Sequence, residues 1–235
     1  MNAAPFDRFA ENGFAFVPGV IDAGGAKALA DAFHGTNQRG GTRHLIDHPA
    51  VAVLMETATL RSLICGVLSN AAFAFKATLF DKHDKANWGV AWHRDFSIPV
   101  SQRQSLPGWT AWTLKESVNY VHPPHELLAK IVALRINIDG CDFDDGPLRA
   151  IPGSHLLANG IDGAKVEAAQ AAMAIEFVGD PGDVWLLNPL VLHASSKTRR
   201  PTRRRVLHLE FANFELPPGV NWHRQIRFDQ AASRH

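Results

Sequence analysis

The chain is short of the residues that would commit it to several protein classes. It has 2 cysteines in 235 residues, Cys65 and Cys141, too few for a disulfide scaffold or a zinc–thiolate cage. They read as core thiols in a reducing compartment, so the expected location is cytoplasmic. No run of about 18 apolar residues occurs, so no segment is expected to span a membrane. The opening MNAAPFDRFAENGF lacks a basic stretch followed by an apolar one, so no secretory signal is visible. An excess of one charge is missing too. With 24 Lys+Arg against 23 Asp+Glu the formal net charge is +1, and no field that would draw nucleic acid follows. The expected partner is a small molecule, and the oligomeric state is left open. Hydrophobic residues at 46% and charged residues at 20% exclude disorder and a coiled coil. Against these shortages stand 12 His, 6 Trp and 14 Phe beside a single Tyr. So many imidazoles direct attention to metal ligation.

The length suits one domain, 1–235. The first third, 1–70, reads as helical support. Residues 26–33 have apolar residues at helical spacing, and 50–68 reads as one or two helices with a break at Thr57 or Thr59. From Ala71 short apolar runs alternate with Gly, Pro, Asn and Asp. Candidate strands cover 71–80, 89–98, 130–139, 183–193 and 204–214, the texture of a sandwich or barrel over 71–214. The segment 99–124 reads as a long excursion, a covering loop or lid. Residues 215–235 read as a C-terminal tail. The basic run 199–205 reads, for most of its arginines, as a solvated turn.

His93 and Asp95 are two apart, and on a strand they would point to one face. His193 is read as the end of an apolar strand about a hundred residues later. Two His and one carboxylate with open positions opposite form the facial triad of non-haem Fe(II) oxygenases. The tripeptide alone carries nothing. A chain with 12 His and 23 acidic residues yields about one His-x-Asp/Glu pair by chance, and this one has two, the second being His208-x-Glu210. Context comes from Arg204, eleven residues beyond His193, where a return strand could bring a guanidinium back to hold a carboxylate. Alternation places Arg204, Val206, His208 and Glu210 on one face of that strand. Arg205, Leu207, Leu209 and Phe211 fall on the other, apolar face packed on helices.

Three blocks resemble the phytanoyl-CoA dioxygenase family of Fe(II)/2-oxoglutarate oxygenases: LFDKHDKANWGVAWHRD (79–95), DGPLRAIPGSH (145–155) and GDVWLLNPLVLHASSKTRRPTRRRVLHLEFA (182–212). The resemblance implies a double-stranded β-helix, a jelly roll with helices on the outer face of one sheet. It implies His93, Asp95 and His193 as catalytic iron ligands, and Arg204 as the partner of the distal carboxylate of 2-oxoglutarate. Ser195 adds a hydroxyl to that carboxylate in similar sequences. Thr78 and Arg135 fall at cosubstrate-pocket positions. Arg135 departs from relatives that carry a large aromatic there, and a substrate contact is its alternative role. The implied reaction consumes 2-oxoglutarate and O2, releases succinate and CO2, and oxidises a C–H bond. Halogenating relatives have a small residue where this chain keeps Asp95, which favours hydroxylation.

Asn87, at the mouth, and Trp109 and Trp112, in the lid, are candidate substrate contacts. His155 is expected to shape its own turn, and His208 to face inward. Two rival readings remain open at this point. One is a zinc hydrolase on a cupin-like barrel, which gives Arg204 no role. The other is a non-catalytic barrel that binds a small molecule. The prime substrate is not legible, and a coenzyme A thioester is not implied by the family name.

Overall fold

Alternating apolar and polar side chains after residue 72 build two facing antiparallel sheets in a computed structural model that describes residues 4–35, 41–157 and 166–228. The helices are α1 (Pro5–Asn12), α2 (Ala23–Ala32), α3 (Pro49–Glu56), α4 (Ala58–Val67), α5 (His125–Leu128) and α6 (Ala168–Ala172). The strands are β1 (Phe14–Val17), β2 (Phe73–Lys82), β3 (Val90–His93), β4 (Ile98–Val100), β5 (Thr110–Lys115), β6 (Val118–His122) and β7 (Ile131–Asn137). They continue with β8 (Leu148–Ala150), β9 (Ile175–Glu176), β10 (Val184–Leu187), β11 (His193–Ser195), β12 (Arg204–Ala212) and β13 (Ile226–Arg227). The large sheet runs β1-β10-β7-β12-β2-β13 and the small one β3-β11-β8-β9. This is the expected jelly roll, with its four longer helices in the first third of the chain.

The outer face of the large sheet is the main core. Leu79, Leu134, Leu186, Leu207 and Leu209 pack against Leu29, Phe33, Leu54, Leu60 and Ile64 from the helices. Each such leucine contributes roughly 1.5–3 kcal/mol on burial. The helices carry clear boundary chemistry. Pro49 opens α3, where its missing N–H costs nothing, and the His48 ring accepts the Ala50 N–H at 3.2 Å. Thr57 ends α3 and starts α4 with an extended ψ of 126°, and the two helices bend by 75° there. Among the described residues no single helix is long and apolar enough to cross a membrane, and α3 and α4 bury Val51, Leu54, Met55, Leu60, Leu63 and Ile64 in this core.

Several expectations need correction. The helical third also supplies β1, which caps the edge of the large sheet against β10. The run 183–193 is not one strand. Asn188 Oδ1 accepts the Leu190 N–H at 2.9 Å, and with Pro189 this turn carries the chain from β10 in one sheet to β11 in the other. Pro189 is the signal that sequence reading passed over. The excursion 99–124 is no plain loop. It folds with β4 as a three-stranded sheet, β4-β6-β5, over an apolar cluster of Phe73, Phe75, Trp109, Val121 and Trp222. Residues 215–228 are not a tail, since Trp222 joins that cluster and β13 pairs with β2, while 229–235 lie outside the described residues.

The basic run is not a solvated turn either. Arg200 grips Asp145 with two bonds of 2.8 Å, Arg203 grips Asp81 at 2.6 and 3.1 Å, and Arg205 grips Asp139 at 2.7 and 2.8 Å. Only Arg199 is largely exposed. Hydrogen bonds from Arg200 and Thr202 hold the Asp145 carboxyl well below its usual range, against the effect of burial. Its stabilisation is therefore complete above the unfolded value near about 4 and is lost as pH falls below it. Asp145→Asn is expected to cost about 1–2 kcal/mol at neutral pH, since the half-exposed Arg200 is partly screened by water. Denaturant unfolding should also show a flatter acid limb for this variant than for wild type.

Candidate active site

The small sheet brings three ligand-type side chains together. His193 on β11 pairs in register with His93 on β3, and their ring centroids are 4.2 Å apart. Asp95 is not on the strand as expected, because β3 ends at His93. It reaches in from the next segment, where its N–H donates to Pro189 O at 2.9 Å. Arg94 anchors that segment by donating to Leu190 O at 2.7 Å and Ser154 O at 3.0 Å. His193 likewise opens its strand rather than ending one.

Each imidazole Nδ1 lies 2.8 Å from a backbone carbonyl two residues earlier, Ala91 O for His93 and Val191 O for His193. A carbonyl only accepts, so Nδ1 carries the proton and the Nε2 lone pair is free. Both Nε2 atoms face Asp95, at 3.7 Å from Oδ1 and 3.5 Å from Oδ2. The three ligand atoms lie within 4.8 Å of one another. Burial would raise the Asp95 carboxyl, but the facing His193, with Lys76 and His208 beyond, holds it well below its ordinary value. Burial and the neighbouring His193 lower His93, which favours its neutral, ligating form. A carboxylate and two imidazoles that turn their Nε2 atoms toward it suit a divalent ion of borderline softness.

Beside the triad lies a cavity of about 240 Å³. Its floor is the inner face of β2, β12 and β7. Paired rungs across β12 and β2 are Arg204 with Lys82, Val206 with Phe80, His208 with Thr78, and Glu210 with Lys76. Arg135 of β7 sits beside His208. Cations occupy one end of this series of rungs, and the ion pair Lys76–Glu210, at 2.5 Å, occupies the other. Arg204 is buried, with one Nη 3.8 Å from Cys141 Sγ, and among the described residues neither its Nε nor the buried Thr78 Oγ1 has a hydrogen-bond partner. Arg135 donates to His208 Nδ1 at 3.1 Å and lies over the Phe80 ring at 5.5 Å. Burial and Arg204 push Arg135 down to about 10. Burial and Arg135 push His208 well below its usual value, so it is a neutral acceptor. The unpartnered guanidinium nitrogen and hydroxyl fit a site for an organic carboxylate.

A family model described as phytanoyl-CoA dioxygenase (PhyH) matches residues 9–206. The chain belongs to the phytanoyl-CoA dioxygenase family. Solved structures with the same fold include the α-ketoglutarate-dependent epimerase SnoN of nogalamycin biosynthesis, 18% identical over 94% of this chain and 93% of SnoN, TM-score 0.67. AviO1 from Streptomyces viridochromogenes Tue57 is 22% identical over 93% of this chain and 97% of its own, TM-score 0.64. HygX from Streptomyces hygroscopicus, with nickel and 2-oxoglutarate bound, is 15% identical over 95% of this chain and 90% of its own, TM-score 0.64. No curated protein sequence matches the chain closely enough to add a relative of established function. As a phytanoyl-CoA dioxygenase family member the chain is a non-haem iron enzyme that uses 2-oxoglutarate.

Within this family member, the cavity is lined by His93, Asp95 and His193 together with Arg204, Ser195 and Arg135. Thr78 shares the His208 rung. The candidate substrate contacts lie elsewhere. Asn87 clamps the backbone of Thr198, donating to its carbonyl at 3.1 Å and accepting its N–H at 2.9 Å. Trp109 and Trp112 pack in the apolar cluster under the three-stranded sheet and do not line the cavity. Trp109→Ala is accordingly expected to cost about 3–5 kcal/mol in denaturant unfolding while leaving the KM for 2-oxoglutarate within about twofold. His155 does not shape its own turn. Its Nε2 lies 3.2 Å from Ala10 O and ties that turn to α1. Sequence reading missed Arg94, Lys76 and Lys82. For the two lysines the signal was available, since a lysine on the inner face of a barrel strand must be paired or functional.

Proposed function

We propose that the chain hydroxylates a C–H bond of a small organic molecule, with His93, Asp95 and His193 holding Fe(II) and Arg204 holding the distal carboxylate of 2-oxoglutarate. The observation that carries this reading is one cavity with a His-Asp-His triad on one wall and a buried, carboxylate-free guanidinium at its end. Iron with 2-oxoglutarate and O2 supplies the oxidant and yields succinate and CO2. The protein supplies position. The Nδ1–H bonds fix both imidazoles, and Arg94 fixes the reach of Asp95. Arg204 and the Ser195 hydroxyl bind and orient the cosubstrate, with Arg135 and Thr78 beside it. Phe80, Trp88 and Leu148 give the cavity its apolar lining.

The retained carboxylate at Asp95 supports oxygen insertion over halide transfer. The rival hydrolase reading gives no use for the guanidinium at the cavity end. Anaerobic titration with Fe(II) and then 2-oxoglutarate tests the proposal. A visible charge-transfer band is expected, followed by succinate release when O2 is admitted. Correctly folded, iron-loaded protein with no band would sink it. Detection of an epimerised or desaturated product, with succinate formed, would retain the cosubstrate and replace hydroxylation.

A further inference from the structure

Lys82 has no part in the reading above, yet it lines the cavity and is 1% exposed. Its ammonium donates to Ser196 O at 2.6 Å, to Gly146 O at 3.2 Å and to Ser195 Oγ at 3.2 Å. It also lies 5.6 Å from the centre of the Trp88 ring. All these partners are neutral. Its neighbour across the β2–β12 ladder is Arg204, itself a cation. Among the described residues that line the cavity the single carboxylate is Asp95, in the triad. Lys82, Arg204 and Arg135 thus repel one another around a space whose one lining carboxylate among the described residues belongs to the triad, a costly arrangement that an entering anion would relieve. The Gly146 backbone makes the Lys82 bonds possible. A side chain there would strike Ser196 O at 2.4 Å, and the residue has φ +61°.

The serine connects Lys82 to the cavity. An ammonium only donates, so Ser195 Oγ spends a lone pair on Lys82 and keeps its own hydrogen. No hydrogen bond among the described residues takes that hydrogen, and Ser195 faces the cavity. We propose that Lys82 is a positioning residue for the distal carboxylate of 2-oxoglutarate, orienting the Ser195 hydroxyl toward it and adding a second positive charge beside Arg204. This rests on the iron and 2-oxoglutarate reading of the same cavity.

The groups facing Lys82 set a pH signature. They are Arg204 from β12, Arg135 from β7 and Cys141 beyond it. Burial, then Arg204 and Arg135, push the ammonium down to about 7. A bound carboxylate favours the charged form. Affinity for 2-oxoglutarate is therefore full below about pH 7 and falls as pH rises, by up to about tenfold per unit.

The test is calorimetric binding to Mn(II)-loaded protein between pH 6.5 and 8.5. It compares 2-oxoglutarate with 2-oxobutyrate, which has the same chelating end and no distal carboxylate. In wild type the affinity for 2-oxoglutarate should fall with pH more steeply than that for 2-oxobutyrate. Lys82→Met should weaken 2-oxoglutarate about 10- to 100-fold at pH 6.5, flatten its pH slope and leave 2-oxobutyrate unchanged. Adding Ser195→Ala to Lys82→Met should cost less than Ser195→Ala costs alone. If Lys82→Met does not fold, the wild-type comparison decides, since it needs no variant. Equal pH slopes for the two ligands, or unchanged affinity in Lys82→Met, overturn the role of Lys82 and leave the oxygenase reading in place. Wild-type protein that binds neither 2-oxo acid overturns both.

Discussion

His193→Ala protein should fold and lose iron. His193 donates Nδ1–H to its own chain, so its truncation opens one small gap between sheets and costs about 2–4 kcal/mol in stability. The loss of function is much larger. Changes to groups that merely support a ligand reduce metal affinity or activity about 10- to 100-fold, so removal of a ligand should exceed 100-fold in both. Iron content after anaerobic loading and succinate release would be measured together. Wild-type levels of both would remove His193 from the metal site. The triad reading would then fail as a whole.

Arg204→Ala should separate cosubstrate binding from metal binding. Iron content should stay at the wild-type level, because Arg204 is on the other sheet and touches no ligand. The KM for 2-oxoglutarate should rise about 10²- to 10³-fold, the cost of leaving one partner of a buried ionic contact unpaired. At saturating 2-oxoglutarate, turnover should fall far less, since a distal carboxylate is bound equally before and during oxidation. Lysine at this position should restore only part of the affinity, because it lacks the planar fork. An unchanged KM would assign the guanidinium to prime substrate.

The periodic parts of the molecule were legible. Residues 204–212 alternate so strictly that both faces of β12 could be assigned from the pattern, with Leu207 and Leu209 toward the helices and Arg204 and His208 inward. A helix break at Thr57 or Thr59 was legible too, and the structure places it at Thr57. What escaped was structure made by single residues. Pro189 splits one apolar run between two sheets, and apolarity alone does not distinguish a split run from a continuous strand. The Phe14–Val17 strand is too short to carry a period beside a helix. Trp109 and Trp112 were read as a lid over substrate because aromatics in a long loop fit either a site or a small core. Their partner Trp222 lies about a hundred residues away in sequence, and no local pattern links them. The spacing within family-like blocks marks the triad, but a His-x-Asp pair does not reveal that β3 ends at His93 and that Asp95 reaches in from the following segment.

The arginines at 203 and 205 have a bearing on the residue between them. Each is locked onto a carboxylate of a different element, Asp81 on β2 and Asp139 after β7. The backbone is thus clamped on both sides of Arg204, like a tooth held in a jig. Neither carboxylate lines the cavity. On the role proposed for Arg204, a change at Asp81 or Asp139 is therefore expected to reach cosubstrate affinity without touching the cavity. A substitution at either position is expected to loosen the clamp on Arg204 while leaving every cavity residue as it was.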